Sequence, residues 1–448
     1  MIEDRPVCVA IIGMGGFARS HHHAVYELER QGACKLVATC DPQPAVAAAL
    51  AADLDFGNRQ VRAYGSYQQM LEECADLLDV VTIPTPLPLH AEMHAACVER
   101  GLAVYLEKPP TLDIAELERM LAVEARAQKL TNVGFNYIIE QPRRRLKQRL
   151  LSGELGALKR ACFHGLWPRA TSYFRRTYWA GKLVYVTRSA RDEAPSAPCC
   201  GRAAASLDGR LVLDSCMGNA MAHYVHNVLH WAGLGGMDCW ASPARVEAEL
   251  YRAHDIESFD TVFARATTAD GIELRFALSH ASAGEERQAE TVVCERATIS
   301  YDIRSGWRLQ HADGREEHGD TGNSGLLAAN LASYFAYVNG RAERPVTRLE
   351  DSRAFVELCD LTLVAAGHIQ PVREPLATRV KEPDGGEYVV IGEKPDELDL
   401  AAKAMIAEGA LPSERGFAWA APGGSATRAG LRELPAVVRR MVERAGAQ

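Results

Sequence analysis

A glycine-rich turn near the start of the chain contains the first residues whose spacing could bind a cofactor. Gly13-Met14-Gly15-Gly16-Phe17-Ala18 fits G-x-G-x-x-A and follows the apolar run Val7 to Ile12. At a strand-to-helix junction Gly13 permits a tight turn, Gly15 lets the backbone approach a pyrophosphate, and Ala18 allows close packing of helix and strand. The N-terminus of the following helix adds free N–H groups and a positive dipole. The turn therefore predicts a dinucleotide-binding site.

An acidic residue at the end of the next apolar run supports this prediction. Asp41 follows the run Lys35 to Cys40, about 20 residues beyond the glycine turn, where a carboxylate can accept both ribose hydroxyls. The next residues, Pro42-Gln43-Pro44, include no Arg or Lys that could bind a 2′-phosphate. The sequence therefore favours NAD over NADP. The alternative interpretation of Asp41 is a simple turn residue before proline.

Two proline-containing segments follow later apolar runs and carry a candidate catalytic residue. Thr85 and His90 come after Val80 to Ile83, and Lys108 comes after Ala103 to Leu106. Ligands of open α/β sheets bind at the carboxyl ends of the strands, so these side chains should approach a nicotinamide. An ammonium held there can bind a substrate hydroxyl and stabilise the alkoxide that develops as hydride leaves. Lys108 is therefore the predicted catalytic lysine, with a surface salt bridge as the alternative.

A predicted helix from Asn219 to Ala232 carries the second candidate. At about 100° per residue, its Asn and His side chains fall within one arc of about 100°; they are Asn219, His223, His226, Asn227 and His230. Apolar residues occupy the opposite side: Met221, Val225, Val228 and Leu229. The stripe contains no Lys or Glu, which favours a stripe facing the site over one facing solvent.

The remaining polar candidates could bind substrate or a metal ion. Asp214 precedes the helix and could cap its backbone N–H groups or bind a sugar hydroxyl. An aromatic and guanidinium set would suit a polyhydroxylated substrate, with or without negative charge, although ordinary packing is an equal alternative; the set is Arg169, Tyr173 and Trp179. His21-His22-His23 cannot converge on one ion, because consecutive helical residues diverge by about 100°. We expect one of the three to pack on the sheet and the others to meet solvent, and we predict no metal site.

The elements that position these residues indicate two domains and a tail. Strand-like and helix-like segments alternate over roughly the first 130 residues, which predicts a doubly wound parallel sheet. Longer strands with short turns follow, which predicts an α+β domain with a large, mostly antiparallel sheet. The predicted boundaries are a Rossmann domain at 1–131, a second domain at 132–372 with a surface insertion near 187–209, and a carboxyl-terminal extension at 373–448.

Composition excludes several classes of protein. The chain has 448 residues and a formal net charge of −8, which argues against a nucleic-acid protein that depends on a basic face. Its 12 cysteines are scattered without a C-x-x-C pair, so neither a disulfide framework nor a zinc knuckle is expected. No signal segment and no apolar run of about 20 residues is evident. A cytoplasmic protein in a reducing compartment is the expectation.

Beyond the glycine turn, four segments resemble the glucose-fructose oxidoreductase/inositol dehydrogenase/MocA (Gfo/Idh/MocA) family. They are Pro84-Thr85-Pro86-Leu87-Pro88-Leu89-His90, Tyr105-Leu106-Glu107-Lys108-Pro109, Asn132-Val133-Gly134-Phe135-Asn136 and Ser152-Gly153-Glu154-Leu155-Gly156. The similarity covers about residues 5 to 370. It implies a sugar or cyclitol oxidoreductase, a cis Lys108–Pro109 bond, and a homodimer or homotetramer formed through the exposed face of the second sheet.

The resemblance also implies roles for individual residues. Family members usually carry Asp-x-x-x-His on the second-domain helix, and this chain departs from that pattern: one register places Tyr224 at the His position and another places His223 there. A subset of the family has segments similar to Trp167-Pro168-Arg169, Trp179-Ala180-Gly181 and Asn219-x-x-x-His223-x-x-x-Asn227, which makes His223 the predicted general base. The predicted cofactor-binding residues are Gly13, Gly15, Gly16, Phe17, Ala18, Asp41, Pro84, Thr85, His90, Glu107, Lys108 and Asn136. The predicted substrate-binding residues are Lys108, Arg169, Tyr173, Trp179, Asp214, Asn219, His223 and Asn227.

The function that these observations favour is hydride transfer between a nicotinamide and a secondary hydroxyl or keto carbon of a sugar, sugar derivative or cyclitol. Two alternatives remain open. The first is an NAD-dependent glycoside hydrolase or lyase that keeps its cofactor bound and oxidises the sugar transiently. The second is a non-catalytic regulator that senses a dinucleotide, which the intact Lys108 disfavours.

Overall fold

The computed structural model describes residues 5–185, 210–322, 324–394 and 396–447, so the predicted insertion near 187–209 lies outside the described residues. The chain divides into two compact units. Unit 1 comprises Met1–Gln148, Gly236–Cys239 and Asp320–Arg353, and unit 2 comprises Arg149–Gly235, Trp240–Gly319 and Ala354–Gln448. The α-helices of the described chain are α1 Ala18–Arg30, α2 Pro44–Asp53, α3 Phe56–Arg59, α4 Tyr67–Cys74, α5 His90–Val98, α6 Ile114–Glu124, α7 Gln141–Leu151, α8 Ala222–Ala232, α9 Leu326–Val338, α10 Arg353–Ala366, α11 Glu397–Glu408 and α12 Leu434–Ala447.

Unit 1 contains the predicted doubly wound sheet. Its six strands pair in parallel in the order β3-β2-β1-β4-β5-β6. They are β1 Val7–Ile12, β2 Cys34–Cys40, β3 Arg62–Tyr64, β4 Val80–Ile83, β5 Ala103–Leu106 and β6 Asn132–Val133. Strands β4 and β5 are buried at every position, as expected for apolar strands covered on both faces. The strand order reverses between β1 and β4, the position at which ligands bind in such sheets.

Helix α9 belongs to unit 1, although the sequence placed it in the second domain. Leu331, Tyr334 and Phe335 of this helix join the same core as Val25 of α1 and Tyr105 of β5. Because α1 contacts both the sheet and α9, it is enclosed on two sides. This explains why more of its polar residues are buried than one amphipathic face would allow.

Unit 2 contains the predicted large, mostly antiparallel sheet. Its path is β16-β15-β14-β13-β7-β12-β11-β10-β17, with β20 pairing with β10. The β7–β12 and β10–β17 pairs are parallel. Its strands are β7 Leu158–Leu166, β10 Pro243–Arg252, β11 Thr261–Thr268, β12 Glu273–Ser279, β13 Arg287–Cys294, β14 Ala297–Asp302, β15 Gly306–His311, β16 Glu316–Gly319, β17 Gln370–Pro371 and β20 Gly424–Thr427. Two hairpins lie outside this path: β8 Val184–Tyr185 with β9 Arg210–Leu211, and β18 Ala377–Lys381 with β19 Glu387–Ile391.

The carboxyl-terminal extension packs on one face of this sheet. Phe163 of β7 stacks on Tyr224 of α8, whereas the next residue, His164, interacts with Asp399 and Lys403 of α11. Neighbouring strand residues point to opposite faces, so α8 and α11 cover opposite sides. The expectation that the second face is exposed is therefore wrong where α11 covers β7 and β12.

Several smaller expectations also have outcomes in the structure. The Lys108–Pro109 bond is cis, as predicted. A turn separates β13 from β14, where the N–H groups of Glu295 and Arg296 bond to the carbonyls of Ala157 and Leu155. Among the described residues, ten cysteines are unpaired and no cluster has three metal-ligating side chains. No helix in this part of the chain has the length and apolar character needed to cross a bilayer.

The contact between the extension and the sheet predicts a large loss of stability on truncation of Trp419. Its ring is 1% exposed and lies 5.1 Å from the ring of Tyr251 and 6.1 Å from that of Phe263. We expect Trp419→Ala to lower the free energy of unfolding by about 3–5 kcal/mol, measured by urea denaturation. Leu400→Ala is the control: Leu400 lies on α11 but is 49% exposed, so its effect should stay within about 0.5 kcal/mol. Equal losses for the two variants would contradict this packing.

Candidate active site

The glycine turn of unit 1 has the backbone that a dinucleotide site requires. Gly13 and Gly16 have positive φ angles of 105° and 52°, which favour glycine over residues with a side chain. A Cβ on Gly15 would lie 3.3 Å from Val46 Cγ1, so the turn also has little room for a larger residue there. No side chain caps α1 at Phe17, whose ring is 55% exposed. These residues fit a bound dinucleotide phosphate.

Asp41 holds this turn in place. Its Oδ2 accepts the Met14 N–H at 2.9 Å and its Oδ1 accepts the Gln43 N–H at 2.9 Å. A carboxylate has about four acceptor positions, so each oxygen can still accept a ribose hydroxyl. The carboxylate therefore connects the end of β2 to the turn after β1, and its charge would repel a 2′-phosphate.

Two of the three consecutive histidines are buried, so the expectation that two would meet solvent is wrong. His21 and His22 are 0% exposed, whereas the His23 side chain is 52% exposed. His22 Nε2 lies 3.2 Å from the Gly13 carbonyl oxygen, and His21 Nε2 lies 2.9 Å from Glu107 Oε1. The His22 ring also lies 5.9 Å from that of Phe56, and the His21 ring lies 5.7 Å from that of Tyr105, so the two histidines are covered by different neighbours. The histidines thus support the glycine turn and the end of β5.

Glu107 and Asn136 lie beneath the candidate lysine. The other Glu107 oxygen accepts the backbone N–H of Lys108 at 3.1 Å, and Glu107 is 6% exposed. A Cβ on Gly134 would come within 2.9 Å of Glu107 Oε1, so the residue after β6 must be glycine for this close approach. Asn136 Oδ1 accepts the Tyr105 hydroxyl at 2.8 Å. The backbone of Lys108 is therefore held by the carboxylate of Glu107.

His90 joins the two proline-containing segments. Its Nε2 lies 2.9 Å from the Thr85 carbonyl oxygen and its Nδ1 lies 3.0 Å from that of Pro109. Burial lowers the pKa of His90, so the ring is neutral near pH 7 and donates to one of the two carbonyls. The Cγ2 atom of Thr85 would lie 3.6 Å from a Cβ on Gly13, and so would the Pro84 carbonyl oxygen. The segment after β4 therefore adjoins the glycine turn, and His90 contributes through its backbone contacts.

In unit 2, Asp214 connects two loops that carry predicted substrate residues. Its Oδ2 accepts the Gly181 N–H at 2.6 Å and its Oδ1 accepts the Asn219 side-chain amide at 2.8 Å. Ser215, rather than Asp214, caps the following helical turn by accepting the Gly218 N–H. Asp214 is 4% exposed, so it positions the segment after Trp179 relative to Asn219.

The Asn/His stripe is not continuous, which corrects the helical-wheel prediction. A π-helical turn at Cys216–Ala220 precedes α8, so Asn219 does not continue the 100° spacing of the helix. Asn227 is 1% exposed and donates to Glu290 Oε1 at 2.9 Å, which places its amide in the core and not in a substrate-facing stripe. The rings of His226 and His230 pack 5.0 and 5.4 Å from that of Trp240. Asn219 and His223 remain as the partly exposed members.

The surroundings of α8 distinguish the two candidate bases. Tyr224 is 2% exposed; its ring stacks on Phe163 at 4.5 Å and meets Trp167 edge-on at 5.5 Å. Its neighbour His223 is partly exposed. Successive helical residues point about 100° apart. Because the Tyr224 ring packs on the sheet, His223 lies on another face of α8. The packing favours His223 over Tyr224 as the accessible base.

The predicted aromatic and guanidinium set forms one cluster around Arg169. The Arg169 guanidinium lies 5.4 Å from the Trp167 ring and 5.3 Å from the Tyr173 ring, and pairs with Glu286 at 2.8 Å. Burial raises the pKa of the Tyr173 hydroxyl, which keeps it neutral. Within the described residues, Trp179 Nε1 is buried and has no hydrogen-bond partner. Donors of this kind suit a ligand with hydroxyl or anionic oxygens.

Sequence reasoning missed the residues that support this cluster. The ladder places Tyr251, Thr261, Ser279 and Leu166 in one row across four strands. The residues just past that row therefore meet at one sheet edge, and they include His254, Asp260, His280 and Trp167. The available signal was a polar residue beside the end of a strand. The sequence did not reveal the strand order that brings such residues together.

Comparisons with known proteins match the amino-terminal part of the chain to a family of oxidoreductases. The family model described as "Oxidoreductase family, NAD-binding Rossmann fold" matches residues 7–135. Inositol 2-dehydrogenase of Rhodococcus erythropolis is 29% identical over 157 residues, which are 35% of this chain and 43% of that enzyme. The chain thus spans less than half of the length of this curated relative.

Two solved structures share the fold across most of the chain. The WlbA dehydrogenase of Bordetella pertussis, crystallised with NADH and UDP-GlcNAcA, has a TM-score of 0.60 and 19% identity; the match covers 79% of this chain and 94% of that one. An inositol dehydrogenase homologue of Azotobacter vinelandii, crystallised with NADH and myo-inositol, has a TM-score of 0.62 and 15% identity over 80% of this chain and 94% of that one.

Buried His22 predicts sensitivity of the fold to acid. Burial lowers the pKa of His22 to about 4, whereas an unfolded histidine titrates near 6.5. The unfolded state therefore binds the proton first, and stability present above about pH 6.5 is lost as the pH falls towards 4, by on the order of 3 kcal/mol. We expect His22→Gln to lose less stability between about pH 7 and 4.5 than the wild type, measured by urea denaturation. His23→Gln, at an exposed position, should keep the wild-type slope; a wild-type slope in His22→Gln would contradict the assignment.

Proposed function

The chain belongs to the Gfo/Idh/MocA family of oxidoreductases, and we propose that it transfers hydride between NAD and a secondary hydroxyl or keto carbon of a sugar, sugar derivative or cyclitol. One observation carries the proposal: Lys108 lies at the carboxyl end of β5, on the sheet edge where the glycine turn ends β1 and Asp41 ends β2. An ammonium at the ligand-binding edge of a dinucleotide-binding sheet has the position that alcohol oxidation requires.

Unit 1 supplies the cofactor site in this proposal. The glycine turn and the start of α1 would hold the pyrophosphate, and Asp41 would accept the ribose hydroxyls. NAD, when bound, accepts or supplies the hydride at nicotinamide C4. The carboxylate of Asp41, already bonded to the turn, supports NAD over NADP. The segment from Pro84 to His90 and the end of β5 would line the nicotinamide end.

Lys108 is the proposed electrophile. One of its three N–H donors would bind the substrate oxygen, and its charge would stabilise the negative charge that develops there. Glu107, itself bonded to His21, holds the backbone of this lysine, which limits the positions that its ammonium can adopt. Such preorganisation is what makes an electrostatic contribution effective, because little reorganisation is needed during the reaction.

His223 is the proposed general base of unit 2. Imidazoles titrate near neutral pH and can take a hydroxyl proton during oxidation or return it during reduction. His223 is partly exposed, whereas the neighbouring Tyr224 ring is buried against the sheet, and this difference supports the choice. Asn219, Asp214 and the Arg169 cluster are proposed to bind the other hydroxyl or anionic groups of the substrate. The proposed substrate is small and rich in hydroxyl groups, in keeping with the sugar and cyclitol dehydrogenases to which the chain is similar.

The assembly and location of the protein stay predictions from the sequence. A homodimer or homotetramer through the sheet of unit 2 would have to use the strands that α11 leaves uncovered, because the extension already lies on β7 and β12. A cytoplasmic location is proposed on the sequence alone.

The first test is reduction of NAD in the presence of sugars and cyclitols. We expect growth of the NADH absorbance band with at least one of them. Lys108→Ala should lower kcat/KM by about 100- to 1000-fold because the developing oxyanion loses its partner, and His223→Ala by about 100- to 10,000-fold because proton transfer loses its base. Lys159→Ala and His318→Ala, both at exposed positions, are the matched controls and should keep wild-type rates.

The other outcomes of this assay have distinct meanings. Cleavage of a glycoside without net NADH would support the hydrolase or lyase alternative. Tight binding of NAD with no turnover of any substrate would support the regulator. Wild-type rates in Lys108→Ala would remove the lysine from the mechanism.

Asp41 predicts the cofactor preference. Asp41→Asn removes the charge that repels a 2′-phosphate, so we expect the Kd for NADH to rise about tenfold, or about 1.4 kcal/mol, while the Kd for NADPH rises less or falls. Fluorescence titration with the two cofactors measures both constants. Asp53→Asn, at a partly exposed site paired with Arg19, is the control. An unchanged ratio of the two Kd values would exclude Asp41 as the selecting residue.

A further inference from the structure

A buried histidine–aspartate pair lies behind the Arg169 cluster of unit 2. The side chains of His254 and Asp260 are both 0% exposed, and His254 Nδ1 lies 2.8 Å from Asp260 Oδ2. The other ring nitrogen, Nε2, lies 3.1 Å from the backbone carbonyl oxygen of Arg169. The imidazole therefore bridges a carboxylate and the backbone of a proposed substrate-binding residue.

The hydrogen bonds around the pair determine where its protons are. A backbone carbonyl can only accept, so Nε2 must carry a hydrogen to bond with Arg169. Asp260 Oδ2 already accepts the N–H groups of Ala253 and His254 at 2.9 and 2.7 Å, and Oδ1 accepts the Thr261 hydroxyl at 3.0 Å. An oxygen that accepts two N–H groups is a carboxylate oxygen and not a hydroxyl, so Nδ1 must also donate. Both ring nitrogens are then protonated.

The electrostatics of Asp260 agree with this assignment. Burial favours the neutral acid, yet hydrogen bonds from the ring and backbone of His254 and its positive charge keep the pKa of Asp260 below its usual value. An imidazolium and a carboxylate in contact are a paired charge, which a protein interior tolerates better than either ion alone. Within the described residues, the Phe174 ring packs on His254, and other titratable groups near the pair are Arg252, His280, Cys216 and the guanidinium of Arg169. Arg373 donates to the Ala253 carbonyl oxygen, and Asp255 and Glu257 act on Arg252.

We propose that His254 is a buried imidazolium, held by Asp260, that positions Arg169 by binding its backbone carbonyl. His254 is a positioning residue and acts on substrate only through Arg169. The effect of His254 on substrate binding rests on the proposed function. The charge of its ring and its contact with the backbone of Arg169 do not depend on that function.

A second histidine, His280, binds the same segment of backbone. His280 Nδ1 lies 2.9 Å from the Trp167 carbonyl oxygen, and burial lowers the pKa of His280 to about 3, so this ring is neutral and donates once. Together the two rings bind the carbonyls on either side of Pro168, a residue with no N–H of its own. In the segment after β7, histidine side chains therefore form some of the backbone hydrogen bonds that a neighbouring β-strand would otherwise form.

Comparison with His90 shows why the carboxylate matters. His90 also lies near two carbonyl oxygens, but no hydrogen bond or ion pair described for it involves a carboxylate, and burial lowers its pKa. A buried imidazolium without a carboxylate in contact would be an unpaired charge, so His90 donates to only one of its two carbonyls. His90 and His280 therefore serve as neutral references within the same chain. His254 differs from both because Asp260 touches its ring.

Nitrogen-15 NMR of the histidine-labelled full chain tests the charge. A doubly protonated ring lacks the pyridine-type nitrogen signal that every neutral imidazole has. We expect no such signal for His254 between about pH 6 and 8, with resonances assigned from the spectrum of His254→Gln, while His280 and His90 each show one. A pyridine-type nitrogen on His254 at neutral pH would overturn the proposal.

Hydrogen exchange measured by mass spectrometry tests the positioning. His254→Asn keeps a donor at the Nδ1 position but none at Nε2, whereas His254→Gln places an amide donor near Nε2. We expect amides in the 169–176 segment to exchange at least tenfold faster in His254→Asn, and His254→Gln to restore much of the protection. Equal exchange in both variants, or faster exchange spread over all of unit 2, would overturn the positioning role.

The two measurements remain decisive if one variant fails or if no substrate is found. Should His254→Asn not fold, the NMR spectrum of the wild type and the exchange of His254→Gln still decide the proposal. Neither measurement needs a substrate, so an inactive protein in the NADH assay would count against the proposed function and not against the imidazolium.

Discussion

Burying a carboxylate is costly unless N–H or O–H donors surround it, and this constraint organises the candidate site. Glu107 is bonded to His21 and to the backbone of Lys108. In unit 2, Asp214 bonds to Gly181 and Asn219, Asp260 bonds to His254, and Glu290 bonds to Asn227 and Trp231 of α8. Each buried carboxylate thus draws another segment towards its own. Lys108, the proposed electrophile, is held in this way by Glu107, which does no chemistry itself.

The two sheets place these carboxylates by different means. In unit 1 the strands are parallel, so every carboxyl end lies at one edge, and a residue after any strand is a candidate ligand contact. In unit 2 the strands are mostly antiparallel, so starts and ends alternate along each edge. Asp260 precedes β11 and His254 follows β10, yet they touch because an antiparallel hairpin joins the two strands.

The sequence was a good guide to unit 1 and a partial one to unit 2. Strands β1, β4 and β5 have the predicted bounds, because apolar runs between glycine and proline signals leave little choice. The failures share a cause. His22 is buried because it lies against Thr39 of β2 and the Phe56 ring of α3, and Asn227 is in the core because Glu290 of β13 accepts its amide. Helical periodicity describes one helix on one surface and does not include a second neighbour.

By itself, the sequence determined the doubly wound sheet, the glycine turn with Asp41, and the candidates Lys108 and His223, because these depend on residue types at short spacing. Tertiary structure alone decided that Tyr224 packs on the sheet, that the extension covers one sheet face, and that His254 and Asp260 meet behind Arg169. His254 and Asp260 are six residues apart, but the other contacts, including that of His254 with Arg169, join residues far apart in the chain. Strand order and helix packing determine which distant segments come into contact, and local sequence patterns specify neither of them.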